Sequence, residues 1–167
     1  METPSTGQPA QFDRLDARLV TLLAEHPRTG VLDCARRLGV ARGTVQARLD
    51  RLQERGVITG FGPDVSAAAL GFGVTAFVTL EIRQGTGHRV VGAHLSVIPE
   101  VLEVHTVTGQ GDLLCRIVAR SNADLQRVID EVVADTDILR TATLIALTAP
   151  VPYRVLPLVA AAAGLSR

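Results

Sequence analysis

The sequence predicts an α+β protein in two unlike parts, an N-terminal winged helix-turn-helix domain followed by a ferredoxin-like βαββαβ domain. Three observations lead there. Apolar residues recur at helical spacing from Asp13 to Gly56, and beyond Gly71 the pattern becomes strand and helix in turn. Glycines stand where helices have to end, at Gly39 and Gly56. The basic residues are clustered: six arginines lie between Arg36 and Arg55 against only Asp50 and Glu54, although the whole chain balances 17 basic with 17 acidic residues. The expected layout is a flexible leader over 1–11, the helix-turn-helix domain with its linker over 12–71, the αβ domain over 72–149 and a tail over 150–167.

The first helix starts at Asp13, which caps it, and Asp16 three residues on gives a capping-box pattern. Its apolar stripe is Leu15, Leu19, Leu22 and Leu23, and Pro27 lies past its end. Leu32, Ala35 and Leu38 form the apolar face of the second helix. Val45, Leu49 and Leu52 form the buried stripe of the third, an arginine-rich recognition helix. Val57, Ile58 and Phe61 begin a wing-like strand, and residues 64–71 read as a short connecting helix. In the second half, Val74 to Arg83, Val101 to Thr108, Asp112 to Arg120 and Ile138 to Leu147 read as strands, rich in β-branched residues. Helices are expected from Gly87 to Ile98 and over 121–134, the latter capped by Ser121 or Asn122. Strands this apolar make a solvated sheet face unfavourable, so the sheets are expected to pair in a homodimer.

Composition narrows the chemistry. With no Trp, one Tyr and four Phe, the chain lacks the aromatic platforms that single-stranded nucleic acids stack on. Cys34 and Cys115 sit within apolar patterns and are expected as buried free thiols of a cytoplasmic protein. The apolar run Val155 to Leu165 is shorter than the roughly 20 residues a membrane span requires. No metal-ligand spacing links His26, His88, His94 and His105, and His105, alternating with Val104, is expected to be half-buried on a strand.

The clustered arginines point to double-stranded DNA. On the outer face of the recognition helix, Arg42, Thr44 and Gln46 are the candidates for base edges, since Gln suits adenine and Arg guanine. Arg36, Arg37, Arg48 and Arg51 are the candidates for phosphates. An ordinary helical hairpin with solvated arginines is the alternative. Further on, TGQGD (Thr108 to Asp112) is either a plain hairpin turn or a small-ligand loop, whose glycine N–H groups would hold a carboxylate while Asp112 accepts an ammonium.

Two segments resemble one family. TVQARLDRLQERGVITGF is similar to the recognition helix and following strand of Lrp/AsnC feast/famine regulators, and PEVLEVHTVTGQGDLL to their second strand, effector loop and third strand. The likeness runs from about Phe12 to about Leu147. It implies a transcriptional regulator that dimerises through the αβ domain, assembles further into tetramers or octamers, and binds an amino acid or related effector between dimers, without a fixed cofactor. By position it implies effector contacts at Gly109, Gln110, Gly111 and Asp112, with Thr106, Leu144, Ile145 and Ala146 nearby. Three departures stand out: Ala41 replaces the usual capping Ser or Thr, Leu113 replaces an aromatic, and the tail after Leu147 has no counterpart. Haem-precursor decarboxylases share the scaffold and supply the rival reading. An effector-independent DNA-architectural protein is the third.

Overall fold

The computed structural model describes residues 12–83, 85 and 87–165, so the leader expected over 1–11 lies outside the described residues. The chain forms two compact units. One runs as far as Pro63 and takes in the chain again from Pro152; the other is Asp64–Val151. The units therefore divide before Gly71, and the tail is shared out rather than separate.

The first unit is helical: α1 (Arg14–Glu25), α2 (Val31–Leu38) and α3 (Arg42–Glu54), joined by α6 (Leu156–Ala162) from the far end of the chain. Asp13 caps α1 as expected, accepting from the N–H groups of Leu15 and Asp16, while Asp16 Oδ2 accepts from the N–H of Asp13. Leu19, Cys34, Ala35, Leu38, Val45, Leu49 and Leu52 make the core. Leu32 is not among them. It is 51% exposed, and Cys34 takes the inward position on α2 instead. Gly39 (φ +72) and Gly56 (φ +66) end α2 and α3 in the left-handed conformation that glycine adopts without strain.

The expected strand at Val57 to Phe61 does not form: this stretch is irregular, with Ile58 packed on the helical core. A strand needs a hydrogen-bonding neighbour, and none of the four sheet strands pairs with it. The connecting helix over 64–71 is likewise reduced to one turn, in which the N–H of Phe72 reaches the carbonyl of Ala67 and Gly71 (φ +94) stops further winding.

The second unit is β1 (Val74–Ile82), α4 (His88–Ser96), β2 (Val101–Thr106), β3 (Leu113–Ala119), α5 (Asn122–Val132) and β4 (Ile138–Ala146). The strands form one antiparallel sheet in the order β2-β3-β1-β4, the expected ferredoxin-like arrangement. Ala76, Val78, Leu80 and Ile82 of β1 alternate inward and pack with Cys115 and Ile117 against Val91, Leu95, Leu125 and Val128 of the two helices. Both cysteines are free and buried, and burial pushes the Cys115 thiol up to about 11.

The opposite face of the sheet carries Phe77 paired with Leu144, and Leu114 paired with His105. Phe77 is 37% and Leu144 69% exposed. His105 is exposed too, beside Glu103, rather than half-buried.

The β2–β3 turn is pinned to the sheet. The N–H of Val107 donates to the carbonyl of Asp112, and the N–H of Asp112 to the carbonyl of Leu80 at 2.7 Å. Gly111 (φ +88) passes so close to β1 that a Cβ there would lie 3.2 Å from the carbonyl oxygen of Leu80. Gly111→Ala should therefore lower stability by about 1–3 kcal/mol from strained backbone alone, read as a shift in urea midpoint. Gly87→Ala, with open space around it and an ordinary φ of −71°, should change little.

Candidate nucleic-acid interface and ligand site

The helix-turn-helix is set by two short-range devices. After Gly39 the N–H of Val40 bonds back to the carbonyl of Ala35, so the chain reverses in a tight turn and α3 starts at Arg42. Ala41 at the N-cap has no side chain able to accept from the first turn, so α3 begins without a side-chain cap. Val45, Leu49 and Leu52 bury one stripe of α3. Arg42, Gly43, Thr44, Gln46, Ala47 and Asp50 are exposed. Gln46 donates to Asp50 at 2.8 Å, which orients its amide along the helix.

Arg48 and Arg51 depart from expectation. They do not face outward with Arg42. Arg48 Nη1 lies 2.8 Å from Asp13 and 2.7 Å from Asp16, and Arg51 Nη2 lies 2.8 Å from Asp16. The Asp16 side chain is 0% exposed. Its carboxylate thus receives two guanidinia from α3, and both arginines tie that helix to α1, with Arg51 still 43% exposed. The physical reason is that a fully buried carboxylate has to be paired. The N–H of Asp16 is the main influence holding the Asp13 carboxyl below its ordinary value of 3.8, with Arg48 adding to it and burial opposing. Arg36 stays exposed beside Asp33 at 3.3 Å, and Arg37 is exposed as well. Sequence spacing pairs Arg51 with Glu54. The tie to Asp16, 35 residues away, has no local signature.

In the second unit the expected ligand residues fall into two groups. Thr106, Gly109, Gln110, Gly111 and Asp112 lie at the end of the sheet marked by Leu80 and Ile82. Leu144, Ile145 and Ala146 pair with Phe77, Ala76 and Thr75, toward the other end of β1. At about 3.3 Å per residue, several residues of strand separate the two groups within one chain. Asp112 is partly committed: its Oδ2 accepts from the N–H of Ile82 at 2.8 Å. Leu113, where the family pattern has an aromatic, is buried in the sheet core. A cavity of about 390 Å³ beside the turn brings Glu81, Arg83, His88 and Leu139 to Asp112. Apart from His88, noted only as a loop histidine, these residues carried no sequence signal, because they come from the end of β1 and the start of β4. Arg83 is also paired with Asp137 at 3.3 Å. Among the described residues there is no group of three His, Cys, Asp or Glu side chains suited to a metal ion.

A helix-turn-helix with an outward recognition helix, followed by a separate αβ ligand domain, defines a ligand-responsive DNA-binding regulator. Comparison makes the class specific. Residues 12–53 match the AsnC-type helix-turn-helix domain and residues 75–156 the Lrp/AsnC ligand binding domain. The chain is 30% identical to the regulatory protein AsnC of Escherichia coli, over 87% of this chain and 97% of that one. It is also 30% identical to the HTH-type transcriptional regulator AldR of Mycolicibacterium smegmatis, over 84% of each. The E. coli AsnC structure superimposes with a TM-score of 0.80 at 29% identity, covering 87% of this chain and 98% of that one. A feast or famine regulatory protein of M. tuberculosis, solved with L-methionine, gives 0.75 at 26% identity, covering 86% and 97%. The chain belongs to the Lrp/AsnC family. It is a DNA-binding transcriptional regulator with a ligand-binding domain, and the decarboxylase reading is set aside.

The buried tie makes two measurable claims. Asp16→Ala leaves Arg48 and Arg51 without their shared carboxylate and should cost about 3 kcal/mol in urea denaturation; a loss under about 1 kcal/mol would show the cluster to be ornamental. Asp13 is depressed in the folded state, so its contribution is complete above 3.8 and is lost as pH falls through its folded value. Asp13→Asn should therefore flatten the fall in melting temperature between about pH 5 and pH 2.

Proposed function

We propose that this regulator reads its operator with Arg42, Thr44 and Gln46, steadied on phosphates by Arg36 and Arg37, and that an amino acid or related metabolite modulates that grip. The observation that carries the DNA half is the exposed face of α3. Gly43 and Ala47 sit among the polar residues there, and their small side chains leave room for close approach to base edges. Arg48 and Arg51 shape this surface from behind.

Support for the effector half is the pinned TGQGD turn. Gly109 and Gly111 both have positive φ, the left-handed conformation from which anion-binding nests are built, and charged side chains of both signs lie in the adjoining cavity. A zwitterion suits that mixture. The bound L-methionine of the M. tuberculosis relative agrees with it. Thr106 and Gly109 to Asp112 come from one copy in this reading, while Leu144, Ile145 and Ala146 come from another, because one chain holds the groups apart. The open sheet face around Phe77 and Leu144 forms the homodimer, and dimers assemble further into tetramers or octamers. The assembly works in the cytoplasm. Ligand at such a contact changes how copies associate, and hence how their recognition helices are spaced on DNA.

Selection of operators from random duplex DNA, followed by gel shifts, tests the first half. Gln46→Ala should relax preference at one base position, at a cost of about 1–3 kcal/mol for the preferred base. Arg48→Gln should leave the salt slope unchanged but lower stability. A thermal-shift screen with the amino acids tests the second half: a binder should raise the melting temperature, and Asp112→Ala should abolish the rise. A normal response in that variant would remove Asp112 from the site.

A further inference from the structure

We propose that the C-terminal helix α6 is a strap that holds α1 in place and ties the DNA-binding unit to the end of the last strand. The family matches stop at residues 53 and 156, so α6 begins where the second of them ends. It is a defined element all the same. Pro157 sits in its first turn, where a missing N–H breaks no helix bond. At the other end the N–H of Leu165 bonds to the carbonyl of Ala160 at 3.0 Å, and that of Gly164 to Ala161 at 3.1 Å, with Gly164 at φ +65. These two bonds are a Schellman cap, which folds Leu165 back along the helix.

Leu165 and Ala160 thereby meet α1 and α2. With Ala17, Leu22 and Leu38 they line a cavity of about 300 Å³ rimmed by Arg18, Glu25 and Arg37. No residue of α6 is fully buried, but Val159, Ala163 and Leu165 are half-buried; a helix of 7 residues is not stable alone in water, so α6 owes its form to this shallow docking. α1 is then held from two sides: Asp16 is tied to Arg48 and Arg51 of α3, and the adjacent Ala17 faces the α6 cavity. The connection over 147–155 includes Pro150 and Pro152, whose fixed φ makes it a stiff spacer rather than a slack one. A shift at the end of β4 is in this way carried to α1, and through Asp16 to the recognition helix. The connection is a second covalent link between the units, in addition to the one at Pro63. It does not depend on what the ligand is.

The test compares the full chain with a truncation ending at Ala149 and with Leu165→Arg, which keeps the tail but places a large cation at a half-buried position lining the cavity. Hydrogen exchange should show α1 amide protection falling roughly tenfold in both variants, with β1–β4 unchanged as the folding control. Affinity for a mixed-sequence duplex should weaken roughly three- to tenfold, the inverse of the fraction of chains in which α1 remains seated. α1 protection equal to that of the full chain in Leu165→Arg would overturn the strap. A Thr21→Cys, Ala160→Cys pair should cross-link within one chain on a denaturing gel, and a cross-link only between chains would also overturn it.

Discussion

The structure depends most on one buried carboxylate. Asp16 has no exposed surface and receives guanidinia from Arg48 and Arg51, both on the helix offered to DNA. Asp13, which caps α1, binds Arg48 as well. A cap that orders the start of one helix is thus also part of the bond to another. The arrangement fixes α3 against α1 by charge-assisted contacts whose directions are demanding, whereas apolar packing alone would tolerate sliding. Its cost is that two of the cations of α3 are already paired with carboxylates of α1.

The ligand-binding unit answers a different constraint. A four-stranded sheet has two faces, and its two helices cover only one. Phe77 and Leu144, paired across the other face, are both exposed. The residues proposed for the ligand likewise sit toward opposite ends of β1. In the proposed function both are resolved by further copies of the chain, so that assembly and sensing become one event.

Most of the fold was legible because it is written in local signals. Asp13 with Asp16, Ser121, Gly39 and Gly56 each mark a boundary within a turn or two, and strand alternation in β1 marks its buried face. Errors arose where long-range partners decide. Val57 to Phe61 has strand-forming residues but no strand beside it. Leu32 has helical spacing, yet Cys34 occupies the inward position. Arg48 and Arg51 look like a solvated basic face, since the carboxylates that claim them lie more than thirty positions upstream. The cavity residues Glu81, Arg83 and Leu139 gave no signal because the sheet register brings them together. The short α6 was hidden in an apolar tail, and only its glycine and proline mark its ends.

The helical unit is assembled from both ends of the chain, up to Pro63 and from Pro152 onward. During synthesis the sensor unit is therefore finished first, while α1 still waits for its last neighbour. A chain interrupted between β4 and α6 would carry the whole second unit and a helical unit without α6.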